Sequence, residues 1–144
     1  MQAAIGISQL NKLKSFIKAR RENFSYLYNE FKNFKEFDLP IWHKDSNPSW
    51  FGFPLMLNDN AKFTREDLLK FYQERNIGTR LVFAGNITKQ PAYISSNISP
   101  DKEFPVADQI MNNAFWLGVY PGLNSEMLDF VINETKTFLN INRK

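Results

Sequence analysis

The chain has 144 residues, one domain's worth, and its 43% hydrophobic and 23% charged residues exclude a disordered chain. Its net charge of +3 comes from scattered residues, Arg20 and Arg21 in one segment and Lys32 and Lys35 in another, which argues against a nucleic-acid surface. Cysteine is absent and His43 is the lone histidine, so a disulfide framework, a thiolate nucleophile and a Cys- or His-rich metal site are all excluded within this segment.

Apolar residues at Ala3, Ile7, Leu10, Leu13, Ile17, Phe24, Leu27, Phe31 and Phe34 recur at steps of three, four and seven, which predicts one face of a long helix. No Ser, Thr, Asp or Asn caps its start, and no acidic residue sits in its first turn. We therefore expect residues 1–37 to be a linking helix cut from a longer protein, with 38–144 as a small domain. Pro40 is expected to end the helix. Residues 41–49 read as a polar loop. Trp50 to Leu57 reads as an aromatic, mostly apolar strand, with Pro54 placing it at an edge or a bulge.

Thr64, with Asp67 three residues on, opens the next helix as a variant capping box, and Leu68, Leu69, Phe71 and Tyr72 give it a buried face. After Asn76-Ile77-Gly78 comes the most informative stretch, residues 77–93. An apolar run expected to be buried (Leu81, Val82, Phe83) enters a Gly85-Asn86 turn, with Arg80, Gln90 and Tyr93 close by. Residues 94–103 read as a surface loop and Pro105 to Asn112 as a short helix. Asn113 to Val119 reads as a strand. A last helix is capped by Asn124 or Ser125, with Met127, Leu128, Val131, Ile132, Thr135 and Phe138 as its core face. The class is α+β: a sheet of about three strands with helices on one side. No apolar run is long enough to span a membrane and no signal-peptide pattern precedes the first helix, so a cytoplasmic protein without a membrane partner is expected.

Several segments together resemble the C-terminal part of the DegT/DnrJ/StrS family of nucleotide-sugar aminotransferases. They are the opening Met1-Gln2-Ala3-Ala4-Ile5-Gly6-Ile7-Ser8-Gln9-Leu10, Pro48 to Phe53, Gly78 to Asn86, Gln90-Pro91-Ala92 and Phe115 to Gly122. The likeness is to the CDP-4-keto-6-deoxy-D-glucose-3-dehydrase branch, which serves O-antigen lipopolysaccharide biosynthesis. The resemblance implies the small C-terminal domain of an aspartate-aminotransferase-like, fold type I enzyme. It also implies pyridoxamine or pyridoxal phosphate and a 2Fe-2S cluster in the parent enzyme, with loss of the C3 hydroxyl of a nucleotide sugar and the cofactor as electron sink. The implied partners are an upstream catalytic domain of the same chain, a second copy in a homodimer, the nucleotide-sugar substrate and an iron–sulfur flavin reductase. The family's cofactor-phosphate segment, histidine and cluster cysteines have no match here. We therefore expect this segment alone to bind no cofactor and to lack dehydrase activity. A sugar aminotransferase of the same family is the alternative, and a free-standing, non-enzymatic binding module is the alternative of another class.

The expected substrate-binding residues are Arg80, Phe83, Asn86, Gln90 and Tyr120; no catalytic or metal-binding residue is expected. Arg80 can grip a diphosphate through paired hydrogen bonds, or form an ion pair with Glu74 or Asp67. Phe83 is a core ring or a ligand stacker. Asn86 is a ligand contact or a turn residue with positive φ. Gln90 and Tyr93 either reach a ligand or tie down the loop. Trp50, Trp116 and Tyr120 read as core or domain-interface aromatics, with Tyr120 the best placed to reach a site. His43 reads as an ordinary loop histidine.

Overall fold

The computed structural model describes residues 1–95 and 102–143; most of the expected surface loop at 94–103 lies outside them. The first element is α1 (Gln2–Phe31), which starts with no side-chain cap and no acidic residue in its first turn. Its apolar stripe divides in two. Phe24, Leu27 and Phe31 are buried, whereas Ile5, Ile7, Leu10 and Leu13 stay between 47% and 65% exposed. The helix also stops earlier than expected, well before Pro40. Phe34 folds back in the following turn, its N–H donating to the Phe31 carbonyl, and its ring meets Phe31 edge-on.

The sheet has four strands rather than about three: β1 (Phe37–Asp38), β2 (Gly52–Leu57), β3 (Thr79–Leu81) and β4 (Ala114–Gly118), in the order β1-β2-β4-β3. All three pairings are antiparallel. A two-residue strand such as β1 has no periodicity to betray it. The edge position expected for β2 is corrected, since that strand runs inside the sheet. β1, however, reaches only Met56 and Leu57, so Pro54 has a strand neighbour on the β4 side alone, and its other edge is free to carry a nitrogen without a hydrogen. Trp50 and Phe51 precede the strand.

Alternation along the strands gives the sheet two unlike faces. Phe53, Leu55 and Leu57 of β2 and Phe115 and Leu117 of β4 enter the core. They meet the second half of α1, α2 (Arg65–Glu74) and α5 (Ser125–Asn142). α2 opens on the predicted box, with Thr64 and Asp67 bonding reciprocally. α5 is capped by Asn124, whose side chain accepts from the Met127 N–H. Its core face is Leu128, Ile132, Thr135, Phe138 and Leu139; Met127, expected inside, is 49% exposed. Tyr72, fully buried, shares a 2.6 Å hydroxyl–hydroxyl bond with Thr135, and burial pushes its phenol up from the ordinary tyrosine range. Two short helices, α3 (Pro91–Ile94) and α4 (Pro105–Asn113), lie in the link between β3 and β4.

The loop over residues 39–51 is pinned by aromatic stacking. Trp50 lies flat on Phe24 at 4.0 Å between ring centroids, and Trp42 meets Phe24, Tyr28 and Trp50 edge-on. Arg20 and Arg21 of α1 donate to the carbonyls of Trp50 and Pro48. His43 stays in this loop, its Nδ1 accepting from the Asp45 N–H, as its ordinary reading expects.

The Glu36 carboxylate is buried just ahead of β1 and is gripped at both oxygens by Arg143, with Nε–Oε1 at 2.8 Å and Nη2–Oε2 at 2.9 Å. The guanidinium holds the Glu36 carboxyl below the ordinary carboxylate range. A lowered folded-state pKa means that stability is present above the unfolded value and is lost as pH falls through the folded value. Removing the partner of a buried charge costs about 3–5 kcal/mol, and the Arg143 side chain is 41% exposed, so water replaces part of that loss. Arg143→Ala is predicted to lower unfolding free energy by about 2 kcal/mol at pH 7 in urea titrations. The gap between variant and wild type should shrink in acid; a gap that persists with Glu36 protonated would place the effect in packing instead.

Candidate functional site

The sheet face opposite the helices is where the predicted site residues begin to converge. Register puts Pro54, Trp116 and Arg80 side by side across three strands, so their side chains share that open face. The neighbouring row pairs Gly52 with Gly118. Two absent side chains beside a large indole make a hollow. A Cβ on Gly52 would sit 3.0 Å from the Trp116 ring, which lies across it. The hollow measures about 390 Å³ and is lined by Phe51, Gly52, Gly78, Thr79, Arg80 and Trp116, with Leu117 and Gly118. Phe51, 70% exposed, and Phe83, 84% exposed, both contact the Trp116 ring, at 5.2 and 5.6 Å between centroids. The Trp116 Nε1–H is shielded from solvent and has no acceptor among the described residues.

Arg80 is exposed and takes no ion pair or hydrogen bond among the described residues. The partners expected for its alternative reading are engaged elsewhere. Glu74 pairs with Arg75, and Asp67 caps α2 with its carboxyl held below the ordinary range by the Thr64 hydroxyl and N–H. Arg75, not Arg80, makes the inter-helix pair, at 2.6 Å to Glu134. The expectation that Leu81, Val82 and Phe83 form a buried run is corrected. β3 ends at Leu81, and both Leu81 on this edge strand and Phe83 in the turn beyond it are exposed, so their apolarity marks a surface. The core reading of Phe83 fails for the same reason.

Beyond β3 the chain is bent tightly. Phe83 has φ 47° and Gly85 φ 63°, while Asn86, expected at positive φ, sits at −83°. Asn86 is buried and works inside the loop: its Oδ1 accepts from the Thr88 N–H and hydroxyl, and its Nδ2 donates to Asp108 of α4 at 2.8 Å. Gln90 donates to the Ala84 carbonyl, which closes the loop on itself. Tyr120 stands apart. It lines a second, mainly apolar groove of about 580 Å³ between α1, the end of β4 and the start of α5, with Leu27, Leu123, Met127 and Phe130. The two cavities meet at Gly78, Leu117 and Gly118. The five predicted residues thus fall into three groups: Arg80 and Phe83 on the open face, Asn86 and Gln90 within the loop, and Tyr120 across the strand ends. Sequence reasoning missed Phe51 as part of this surface, and Asp108 and Lys89 altogether; the last two lie 19 residues apart and meet only in space.

Neither cavity is lined by lysine, histidine or cysteine, and among the described residues no cluster of His, Cys, Asp or Glu suits a metal. The residues of this chain therefore offer neither a Schiff-base amine nor cluster thiolates at these cavities. No helix is long and apolar enough to cross a membrane among the described residues.

Residues 1–136 match the DegT/DnrJ/EryC1/StrS aminotransferase family, and the chain belongs to it. It is 43% identical over 99% of its length to the lipopolysaccharide biosynthesis protein RfbH of Salmonella typhimurium, covering 33% of that protein. It is 39% identical over 96% of its length to the dTDP-4-dehydro-2,6-dideoxy-D-glucose 3-dehydratase of Saccharopolyspora spinosa, covering 30% of it. The structure superposes on Escherichia coli GDP-4-keto-6-deoxy-D-mannose-3-dehydratase with bound hydrated pyridoxal phosphate. The TM-score is 0.78 at 26% identity, over 91% of this chain and 33% of that one. The fold is that of fold type I aminotransferase-like proteins. The chain spans about a third of the length of these relatives.

Gly85 holds the loop where a side chain has no room. A Cβ there would lie 2.3 Å from the Cβ of Met111, and the backbone is already left-handed. Gly85→Ala is predicted to destabilise the chain by about 2 kcal/mol and to shift the amide resonances of residues 83–90 before those of the core. Calorimetric melting together with heteronuclear NMR checks both parts.

Proposed function

We propose that this chain is the small-domain part of a pyridoxamine-phosphate-dependent nucleotide-sugar 3-dehydratase acting on CDP-4-keto-6-deoxy-D-glucose. In this reading it forms the substrate-side wall of the cleft and has no activity by itself. The relationship to RfbH and to a named 3-dehydratase, along nearly the whole chain, supports the reaction class. The observation that carries the site assignment is Arg80, a guanidinium with no partner among the described residues at the rim of an aromatic hollow. A fixed fork of N–H donors suits the oxygens of a sugar diphosphate, and the rings of Phe83 and Phe51 offer apolar surface around Trp116, its cross-strand neighbour.

The open half of α1 meets the catalytic domain in the longer protein, which pairs as a homodimer in the cytoplasm. That domain supplies the cofactor site and the 2Fe-2S cluster, and an iron–sulfur flavin reductase feeds it electrons. This chain's own part is to bind and orient the nucleotide sugar and to exclude water from one side. The family also contains aminotransferases. A lysine in place of histidine at the cofactor position of the longer protein would select that second reading.

Calorimetric titration with CDP-glucose, as a stable substrate analogue, and with pyridoxamine phosphate tests the assignment. The expected result is weak CDP-glucose binding, reduced at least tenfold (about 1.4 kcal/mol) in Arg80→Ala, with no cofactor binding. Unchanged affinity in the variant would remove Arg80 from the site, and tight pyridoxamine phosphate binding would overturn the half-site reading.

A further inference from the structure

We infer that Asp108, on α4, is the positioning residue that sets the conformation of the 82–90 loop and so places the Phe83 ring against Trp116, the cross-strand neighbour of Arg80; its bearing on ligand binding rests on the reading above. The argument begins with what the loop lacks. Residues 82–85 form no strand, and Phe83 adopts a left-handed backbone that costs a bulky residue on the order of 1–3 kcal/mol. With the residue 84% exposed, little packing repays that cost. Something outside the loop has to hold it.

α4 is what holds it. One face of that helix, three residues apart in sequence, presents Asp108 and Met111 to the loop. Met111 fits against the bare Cα of Gly85, where a Cβ would come within 2.3 Å. Asp108 reaches two further loop residues with its two oxygens: Oδ1 accepts from Asn86 Nδ2 at 2.8 Å, and Oδ2 pairs with Lys89 Nζ at 2.8 Å. Asn86 is buried and in turn caps the turn Ile87–Lys89. One carboxylate therefore ties together both ends of the bend, with Phe83 just ahead of it. Lys89 and Asn86 hold the Asp108 carboxyl below the ordinary range, and its place in the first turn of α4 favours the charge. None of these groups lines the hollow, so Asp108 acts on the ligand surface only through the loop.

The test compares Asp108→Ala, Asp108→Asn and Phe83→Gly with wild type by NMR, thermal melting and CDP-glucose titration. Asp108→Ala should abolish the nuclear Overhauser contacts between the Phe83 and Trp116 rings and lower the heteronuclear order of residues 83–90. It should leave β2–β4 contacts intact and weaken CDP-glucose about tenfold. Asp108→Asn keeps an acceptor for Asn86 and should restore most of the ring contact and affinity. Phe83→Gly should melt no lower than wild type, because it relieves the strained backbone, and should still bind less well. Preserved Phe83–Trp116 contacts in Asp108→Ala would overturn the inference. A loosened loop with unchanged CDP-glucose affinity would overturn it too, since Asp108 would then be structural only. If wild type binds no CDP-glucose while the loop responds as described, the bracing stands and the half-site reading is what fails.

Discussion

The β2–β4 ladder is the constraint on which the rest depends. Five residue pairs from Gly52–Gly118 to Met56–Ala114 lock one register, and the two-residue period of a strand does the sorting. Phe53, Leu55, Phe115 and Leu117 go to the helices; Pro54 and Trp116 go to the open side. A slip of one residue would exchange the two sets, exposing four core side chains worth about 1.5–3 kcal/mol of burial each. The register that makes the core thus also puts Trp116 beside two glycines and next to Arg80. Core and hollow are two consequences of one pairing.

The loop after β3 contrasts with that ladder. Its geometry comes from side chains bonding to backbone and to one another, with left-handed residues at Phe83 and Gly85. Glycine takes such a conformation at little cost, whereas phenylalanine does not. A strained residue that also leaves its ring in solvent is not explained by stability alone, and such residues gather at ligand sites. The strain is thus the physical reason to treat Phe83 as part of a binding surface.

Much of this was legible in the chain. The capping box at Thr64, the cap at Asn124, and α4 with its Pro105 start were local signals with local causes, and they formed where expected. The open-face residues misled because a short apolar run looks the same whether it is buried or lies on an uncovered edge. Only pairing partners distinguish the two, and β3 has one neighbour. Pro54 misled for a related reason: its rule concerns a hydrogen bond at one residue, and β2 satisfies it without being an edge strand. Asp108 could not be read at all, because its partners lie 19 and 22 residues away and no spacing rule connects them. Arg80 was singled out by its neighbours in sequence, although what sets it apart from the other arginines, the lack of a hydrogen bond or ion pair among the described residues, is visible only in space.

The absence of a partner for Arg80 among the described residues bears on how much this chain can do alone. An exposed guanidinium is well solvated, and its attraction for an anion about 4 Å away is only about 1 kcal/mol in bulk water. The same pair near a protein surface, at an effective dielectric of 20, gains about 4 kcal/mol. Between these limits stands whatever removes water from the hollow. On the proposed reading, the ligand's apolar surface against Phe51, Phe83 and Trp116 supplies part of that exclusion, and the catalytic domain of the longer protein supplies the rest. Most of the affinity gained through Arg80 would then appear only on closure. A cation with no partner among the described residues, on an open aromatic face, costs this chain little, which allows the charge to stand there solvated by water.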